Sequence, residues 1–211
     1  IENNYFANNA KYSFYVGHFI NQLKEYEKWK FPAFDMVLST TTFRGDVFTS
    51  LKKLSLNSGV QLDVQKNTNN AINRLMPNTL SHDFGIYSTL DYDREKIGFN
   101  TGVRLDYKKI HCSQQNYNES FSSINSSLGI FLKHKNHLLR LTYSGSFRAP
   151  HVSELFSNGV HHGTNRYEIG KVDLDIEKSH QFDIKYQWSS EHLGFVLNPF
   201  AQYIHNFITI N

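Results

Sequence analysis

The chain has 211 residues, a net charge of +3 at pH 7 and a single cysteine, Cys112. Lysines and carboxylates are mixed throughout, so no basic block indicates a nucleic-acid partner, and no stretch reaches the roughly 20 apolar residues of a membrane-spanning helix. One cysteine excludes an internal disulfide and a Cys-based zinc site, and we expect Cys112 to be a bystander in a loop.

Taken in chain order, a series of segments alternates between apolar and polar residues with the period of two that indicates β-strands. The predicted strands cover residues 11–23, 34–43, 54–64, 83–92, 97–107, 122–133, 139–148, 181–188 and 193–208. No helical period competes with them. The sequence therefore predicts an all-β protein with about nine strands.

The segment 97–107 shows the alternation clearly. Val103 and Leu105 lie on one side of the predicted strand, and Arg104 and Asp106 lie on the other. One apolar and one polar face suit a soluble sheet with a wet side. They also suit the wall of a membrane barrel, whose strands need about 10 residues with every second one facing lipid. Alternation alone leaves both interpretations open.

The connections between the predicted strands differ in length. Short links near 93–95, 134–137 and 189–192 alternate with longer ones at 66–82, 108–119 and 149–179. Short turns at one end and long loops at the other are typical of outer-membrane barrels, which also place aromatic residues, here 15% of the chain, on the outer band and its girdles. We therefore predict part of an antiparallel up-and-down transmembrane β-barrel.

A series of motifs resembles the barrel signature of TonB-dependent receptors, in particular Bacteroidetes-like members. The motifs are Ser146-Phe147-Arg148-Ala149-Pro150, Glu154-Leu155-Phe156, Tyr167-Glu168-Ile169-Gly170, Leu174 and Glu177-Lys178-Ser179, preceded by 21–26, 74–77 and 102–106. They occur in the family's order across almost the whole chain. This collinearity, rather than any one motif, carries the resemblance.

The resemblance implies a barrel of about 22 strands closed by an N-terminal plug. We expect residues 1–211 to be a single partial barrel domain, an internal fragment without the plug, because Ile1 follows no initiator Met or secretion signal. The implied location is the bacterial outer membrane. The implied partners are TonB, through a missing N-terminal region, outer-membrane lipid and an extracellular metal-complex ligand.

The function implied by the family is energised import of a scarce metal or metal complex, such as an iron-siderophore, haem or zinc. No cofactor is required, since the metal complex is cargo. No nucleophile elbow, phosphate loop or paired-carboxylate motif indicates an enzyme. A passive outer-membrane porin and a soluble all-β binding module are the alternatives.

Candidate ligand-binding residues concentrate in the link after the strand 139–148. Imidazole and carboxylate groups together bind zinc and other transition metals, and His or Tyr can ligate haem iron. The predicted ligand-binding residues are Arg148, His151, Glu154, His161, His162, Tyr167 and Glu168. Of these, His161 and His162 are the predicted metal ligands, although adjacent side chains of an extended chain point in opposite directions. The alternative is that these residues are solvated or hold the loop in place.

The resemblance leaves the metal open. Haem receptors of this family follow the Phe-Arg-Ala-Pro box with an Asn-Pro-x-Leu box, which Lys171-Val172-Asp173-Leu174 replaces here. The run 154–162 resembles zinc receptors, in which a His follows the Gly. A cationic interior could also attract an anionic chelate. The cations concerned are Arg104, Arg140, Arg148 and Lys185, for which ordinary salt bridges with Asp106 and Asp183 are the preferred interpretation.

Overall fold

The computed structural model describes residues 1–28, 31–71, 75–161 and 166–209. Strands dominate it, as the alternation predicted. The strands are β1 Glu2–Ala7, β2 Ala10–Lys28, β3 Phe31–Leu51, β4 Leu54–Asn69, β5 Thr79–Asp93, β6 Ile97–Cys112, β7 Tyr117–His134, β8 His137–Arg148, β9 Asn158–His161, β10 Arg166–Ile169, β11 Glu177–Ser189, β12 Gly194–Leu197 and β13 Phe200–His205. One α-helix, α1, spans Val152–Phe156, and a 3-10 turn spans Ser113–Gln115. Within the described ranges, no helix is long and apolar enough to cross a membrane.

Eleven of these strands form one antiparallel sheet in chain order. β1 to β8 pair consecutively, β8 pairs with β11, and β12 and β13 pair with successive stretches of β11. The count exceeds the predicted nine because β1 was missed and because Asn198 and Pro199 divide the predicted strand 193–208 into two. The sheet is the open, up-and-down wall that the sequence predicted, and β9 and β10 form a separate hairpin.

The register gives the wall one apolar and one polar face. Ile86 pairs with Leu105, which pairs with Ile124, and all three side chains are exposed, Ile124 by 64%. One residue further along, Gly85 pairs with Asp106 on the opposite face. A row of exposed aliphatic side chains needs an apolar environment to cover it. We call this the outward face and the polar side the inner face.

The two ends of the wall differ as predicted. Two-residue turns at 8–9, 52–53 and 135–136 join strands at one end, with Asn8, Lys52 and Lys135 at positive φ as tight hairpins require. The links 70–78 and 149–176 lie at the other end. We call these ends the short-turn rim and the long-loop rim. The predicted loops 66–82 and 108–119 are much shorter in the structure, because β4 to β7 continue into them.

The strand extensions correct the expectation for Cys112. This residue is the last of β6 rather than part of a loop, and its side chain is fully buried. It lies in an apolar cluster on the inner face. The buried members of that cluster are Ile110, Cys112, Tyr117, Phe121, Leu155, Phe156 and Ile176. Burial, not exposure, therefore governs this thiol.

The cluster exists because β8 is shorter than its neighbour β7. β8 pairs only with residues 126–134 of β7, which leaves 117–125 without a β8 partner. The chain instead turns inward after Arg148, and α1 lays Leu155 and Phe156 against the inner face of β6 and β7. A second cluster joins Leu75 and Met76 of the link 70–78 to Phe34, with Val152 packed against it. The inner space is thus narrowed at the long-loop rim.

Candidate functional site

Arg148 fixes the point at which the chain leaves the wall. Its Nη1 donates to both carboxylate oxygens of Glu154, at 2.8 and 2.7 Å, and its Nη2 donates to Glu177 Oε2 at 3.1 Å. The same carboxylate oxygen of Glu177 accepts from the backbone N–H of Ile208 at 2.9 Å. Arg148 therefore joins four segments: the end of β8, α1, the start of β11 and the chain after β13. Bidentate pairs of this kind are strong and directional.

His151 and Glu154 cap α1 reciprocally. The imidazole Nδ1 of His151 accepts from the backbone N–H of Ser153 at 3.3 Å, and Glu154 Oε2 accepts from the backbone N–H of His151 at 2.6 Å. This capping box satisfies helix donors that otherwise lack partners. Desolvation of the imidazole lowers the pKa of His151, which keeps its Nδ1 free to accept.

The hairpin of β9 and β10 follows α1. Its strands pair from Asn158 with Ile169 to His161 with Arg166. The phenol of Tyr167 donates to Asn158 Oδ1 at 3.0 Å, and the ring is 58% exposed. The backbone N–H of Asn158 donates to the carbonyl of Leu75 at 3.0 Å, which ties the hairpin to the link 70–78. The hairpin thus presents an exposed aromatic side chain at the long-loop rim.

The predicted ligand-binding residues fall into two groups. Arg148, His151 and Glu154 are brought together as the clamp and cap of α1. Tyr167 and Glu168 lie in β10, opposite β9. His162 and the side chain of His161 lie outside the described residues. Ligand contact by any of the seven stays a prediction. Among the described side chains, no group of three His, Cys, Asp or Glu could hold a metal ion.

Sequence reasoning missed Glu177 as a site residue. It belongs to the recognised motif 177–179, and its signal is its register position, because it pairs directly with Arg148 across β8 and β11. It also missed Ser153 and Asn158, whose roles depend on backbone geometry. Short polar residues next to a helix or hairpin are common enough that sequence alone does not mark them.

The inner face of β3 to β7 carries a connected charge network. Arg44 pairs with Asp46 at 2.8 Å, and the Tyr87 hydroxyl donates to Asp46. Arg104 pairs with Asp106 at 2.7 Å, and Asp106 accepts from Asn125 Nδ2 at 2.7 Å. The preferred salt-bridge interpretation is therefore confirmed for Arg104. Opposite charges that satisfy each other line a polar interior without giving it one sign.

Other predicted cations behave differently. Asp183 accepts from Gln181 at 3.0 Å rather than forming an ion pair with Lys185 in the described structure. The guanidinium of Arg140 lies 5.7 Å from the centre of the Phe131 ring, and Arg140 pairs in register with Lys185. These two cations are adjacent on the inner face near the short-turn rim, so the interior retains one locally positive region.

The inner face also forms a groove of about 780 Å³ between β1 and β5. Its lining combines both charges with hydroxyl and amide groups. The lining residues are Glu2, Lys11, Ser13, Tyr15, Thr42, Arg44, Asp46, Phe48, Asn57, Gln61, Thr89 and Asp91. Such a surface suits polar contacts, with water, a solute or another protein segment, rather than an apolar ligand.

Comparison with known proteins places this wall in a family. Residues 2–211 match the family described as TonB dependent receptor-like, beta-barrel. Similar solved structures include the Serratia marcescens hemophore receptor HasR in complex with its hemophore HasA and heme, with 12% identity and a TM-score of 0.67, covering 94% of this chain and 40% of that one.

Two further structures show the same fold. The copper transporter OprC has 14% identity and a TM-score of 0.69, covering 94% of this chain and 36% of that one. The FrpB iron transporter from Neisseria meningitidis has 14% identity and a TM-score of 0.66, covering 92% and 33%. The chain therefore spans about two fifths or less of these proteins. The predicted partial barrel is confirmed, and the family consists of receptors and transporters rather than enzymes. This chain belongs to the TonB-dependent receptor-like β-barrel family.

Proposed function

We propose that this chain forms part of the barrel wall of an outer-membrane receptor that imports a scarce metal or metal complex with energy delivered through TonB. The observation that carries the proposal is the two-faced wall with α1 and its hairpin folded against the inner face at the long-loop rim. A passive pore gains nothing from such an obstruction. A receptor that must hold its cargo until energy arrives does.

The faces fit that role physically. The exposed aliphatic rows of the outward face suit the hydrocarbon core of a bilayer, and the charged network of the inner face suits a water-filled or plugged interior. A soluble binding module would instead need a second apolar layer to cover the outward face. The plug and the segment that engages TonB would come from parts of the receptor outside this chain.

The cargo proposal combines the solved relatives with the loop chemistry. Those relatives are named for heme, copper and iron, and a siderophore receptor from Pseudomonas aeruginosa shares the fold with a TM-score of 0.59. The carboxylates of the Arg148 clamp are occupied by that arginine. The exposed Tyr167 and the histidines His161 and His162 are therefore the better candidates to touch an iron-siderophore, haem or zinc.

The experiment is an uptake measurement with the full receptor in a bacterium that lacks it. Radiolabelled ferric siderophore, haem and zinc are supplied separately at low concentration, with TonB present or deleted and with or without a protonophore. We expect accumulation of one of these cargoes that needs both TonB and the proton gradient. Accumulation that persists without either would show a passive porin. Full receptor that stays in solution without detergent would show a soluble module.

A further inference from the structure

Basic side chains follow the apolar band of the outward face toward the long-loop rim. On β5 the outward residue after Phe84 is His82, and on β6 the outward residue after Tyr107 is Lys109. These two basic residues pair directly in register. Strands β4, β11 and β13 end their outward pattern in the same way. The set, which we call the basic belt, is Lys66, His82, Lys109, Lys178 and His205.

The basic belt lies at one height on the wall. Lys66 is 12 residues from Leu54, the residue that starts β4 at the short-turn rim, and Lys109 is 12 residues from Ile97, which starts β6. The other three members lie 11 residues from the short-turn ends of their strands, at Asp93, Ser189 and Gly194. Equal distances along similarly tilted strands mean equal heights. At about 3.3 Å per residue and a tilt of about 40°, the belt lies just beyond a band about 25 Å tall.

The charge of the basic belt is not neutralised by neighbouring carboxylates. Where side chains are described, every carboxylate of the wall strands points inward except that of Asp35, and Asp35 pairs with Lys24 at 3.7 Å. No ion pair among the described residues includes Lys66, Lys109 or Lys178. Lys66 and Lys178 are exposed, and Lys109 is half-buried. The outward face therefore offers its cations to a negatively charged group from outside the chain.

An apolar groove lies on the outward face between the basic belt and the short-turn rim. It has a volume of about 600 Å³ and crosses β2 to β6, three of which also carry Lys66, His82 and Lys109. The groove forms because small side chains interrupt the large ones, notably Gly45, Ser58 and Ser88. The two serine hydroxyls bond each other at 2.8 Å, so they add little polarity to the groove. Its walls include Phe14, Val60, Ile86 and Leu105.

We propose that the belt and groove together bind a phosphorylated lipid of the outer leaflet, with head-group phosphate at Lys66, His82 and Lys109 and an acyl chain in the groove. The proposal rests on the proposed function only in placing the wall in an outer membrane. Lysines near a membrane surface gain about 1 kcal/mol each from anionic lipid, and histidine N–H groups can donate to phosphate. An acidic protein partner would use the cations but would leave the apolar groove below them empty.

The experiment measures binding of the full receptor, purified in a neutral detergent, to bicelles that contain phosphorylated lipid A or the phosphate-free form. The belt variant carries Lys66→Gln, Lys109→Gln and Lys178→Gln. We expect it to lose about a hundredfold in affinity for the phosphorylated lipid, roughly fivefold per lysine, with little change for the phosphate-free lipid. A matched control with Lys53→Gln, Lys96→Gln and Lys135→Gln, at the short-turn rim, should keep the wild-type preference.

Two further variants keep the test sharp. Lysine to arginine at the three belt positions retains the charge and should restore the preference, which separates charge loss from misfolding. Gly45→Val, where an added Cβ meets Phe14 at an ordinary 3.7 Å, should partly fill the groove and weaken binding of both lipids alike. An unchanged preference in the belt variant would overturn the proposal, and so would loss of an acidic protein partner with lipid preference intact. Metal-complex uptake is scored separately, since a receptor that imports nothing can still prefer phosphorylated lipid.

Discussion

Arg148 and Glu154, six residues apart, form a two-pronged ion pair in which one guanidinium nitrogen reaches both carboxylate oxygens, at 2.8 and 2.7 Å. The pair turns the chain from the wall into the interior. Glu154 is nearly enclosed, with its side chain 11% exposed, whereas Arg148 is 40% exposed. The carboxylate therefore depends on the arginine more than the arginine depends on it.

Replacing the arginine should release the inward fold. Arg148→Ala leaves two largely enclosed carboxylates, Glu154 and Glu177, without their cation, at a local cost of about 1–3 kcal/mol. Opening of α1 would uncover Cys112, which is now fully buried. We expect a water-soluble maleimide to label Cys112 slowly in the parent receptor and at least several times faster in Arg148→Ala. Arg140→Ala removes a cation from the same strand and should leave labelling slow. Equal rates in all three would contradict the clamp.

Gly170 is held against α1 so closely that a side chain does not fit. An added Cβ would come within 2.6 Å of the backbone nitrogen of Phe156 and 2.8 Å of the Leu155 carbonyl oxygen. Gly170→Ala should therefore destabilise the segment after α1 by about 1–3 kcal/mol, as overpacking does. Limited proteolysis of the folded receptor measures this. Gly194→Ala, where the nearest atom is 3.9 Å away, serves as the control. Indistinguishable cleavage in the two variants would show that the contact is not needed.

The cap of α1 should weaken in acid. The pKa of His151 is lowered, mainly because burial disfavours the charged ring, so the neutral ring that accepts from Ser153 is favoured. The stabilisation is fully present above about pH 6.5, the ordinary histidine value, and is lost as pH falls through the lowered pKa. Hydrogen exchange of the α1 amides should accelerate over that window. His151→Asn keeps an acceptor that does not titrate there, so its exchange should lack this step. The same step in His151→Asn would assign it elsewhere.

The predicted metal ligands can be tested by removal. His161→Ala with His162→Ala should reduce zinc-dependent growth of metal-limited cells by at least tenfold in the zinc concentration required, if these imidazoles capture zinc. His134→Ala with His137→Ala removes two histidines at the short-turn rim and should leave growth unchanged. Uptake that survives the first double change would end the zinc assignment, and retained haem or siderophore uptake would then identify the cargo.

The wall was predictable wherever its inner face is polar. In 97–107 every inner position is small or polar, and the strand was found. Beyond Tyr107 the inner positions become Ile110 and Cys112, because α1 packs there, and the alternation that marks a strand disappears. The predicted loop 108–119 arose from this change. Contacts between distant segments had overridden a local pattern.

The inward fold was harder to predict. α1 has five residues, too few for a helical period to register, and its cap is a histidine where the usual signature has serine or threonine. β1 was missed because Glu2, Asn3 and Asn4 favour turns over strands. The clamp was half visible, since Arg148 and Glu154 were chosen as site residues, but Glu177 becomes their neighbour only through the register of β8 and β11.

The most direct test of the account is whether the two faces of β6 meet different environments. Spin labels placed singly at Val103, Arg104, Leu105 and Asp106 of the full receptor in lipid bilayers report collisions with oxygen, which concentrates in lipid, and with a water-soluble nickel chelate. The account predicts that positions 103 and 105 favour oxygen and that 104 and 106 do not. Labels at all four positions that collide freely with the nickel chelate would contradict it, because both faces would then be wet.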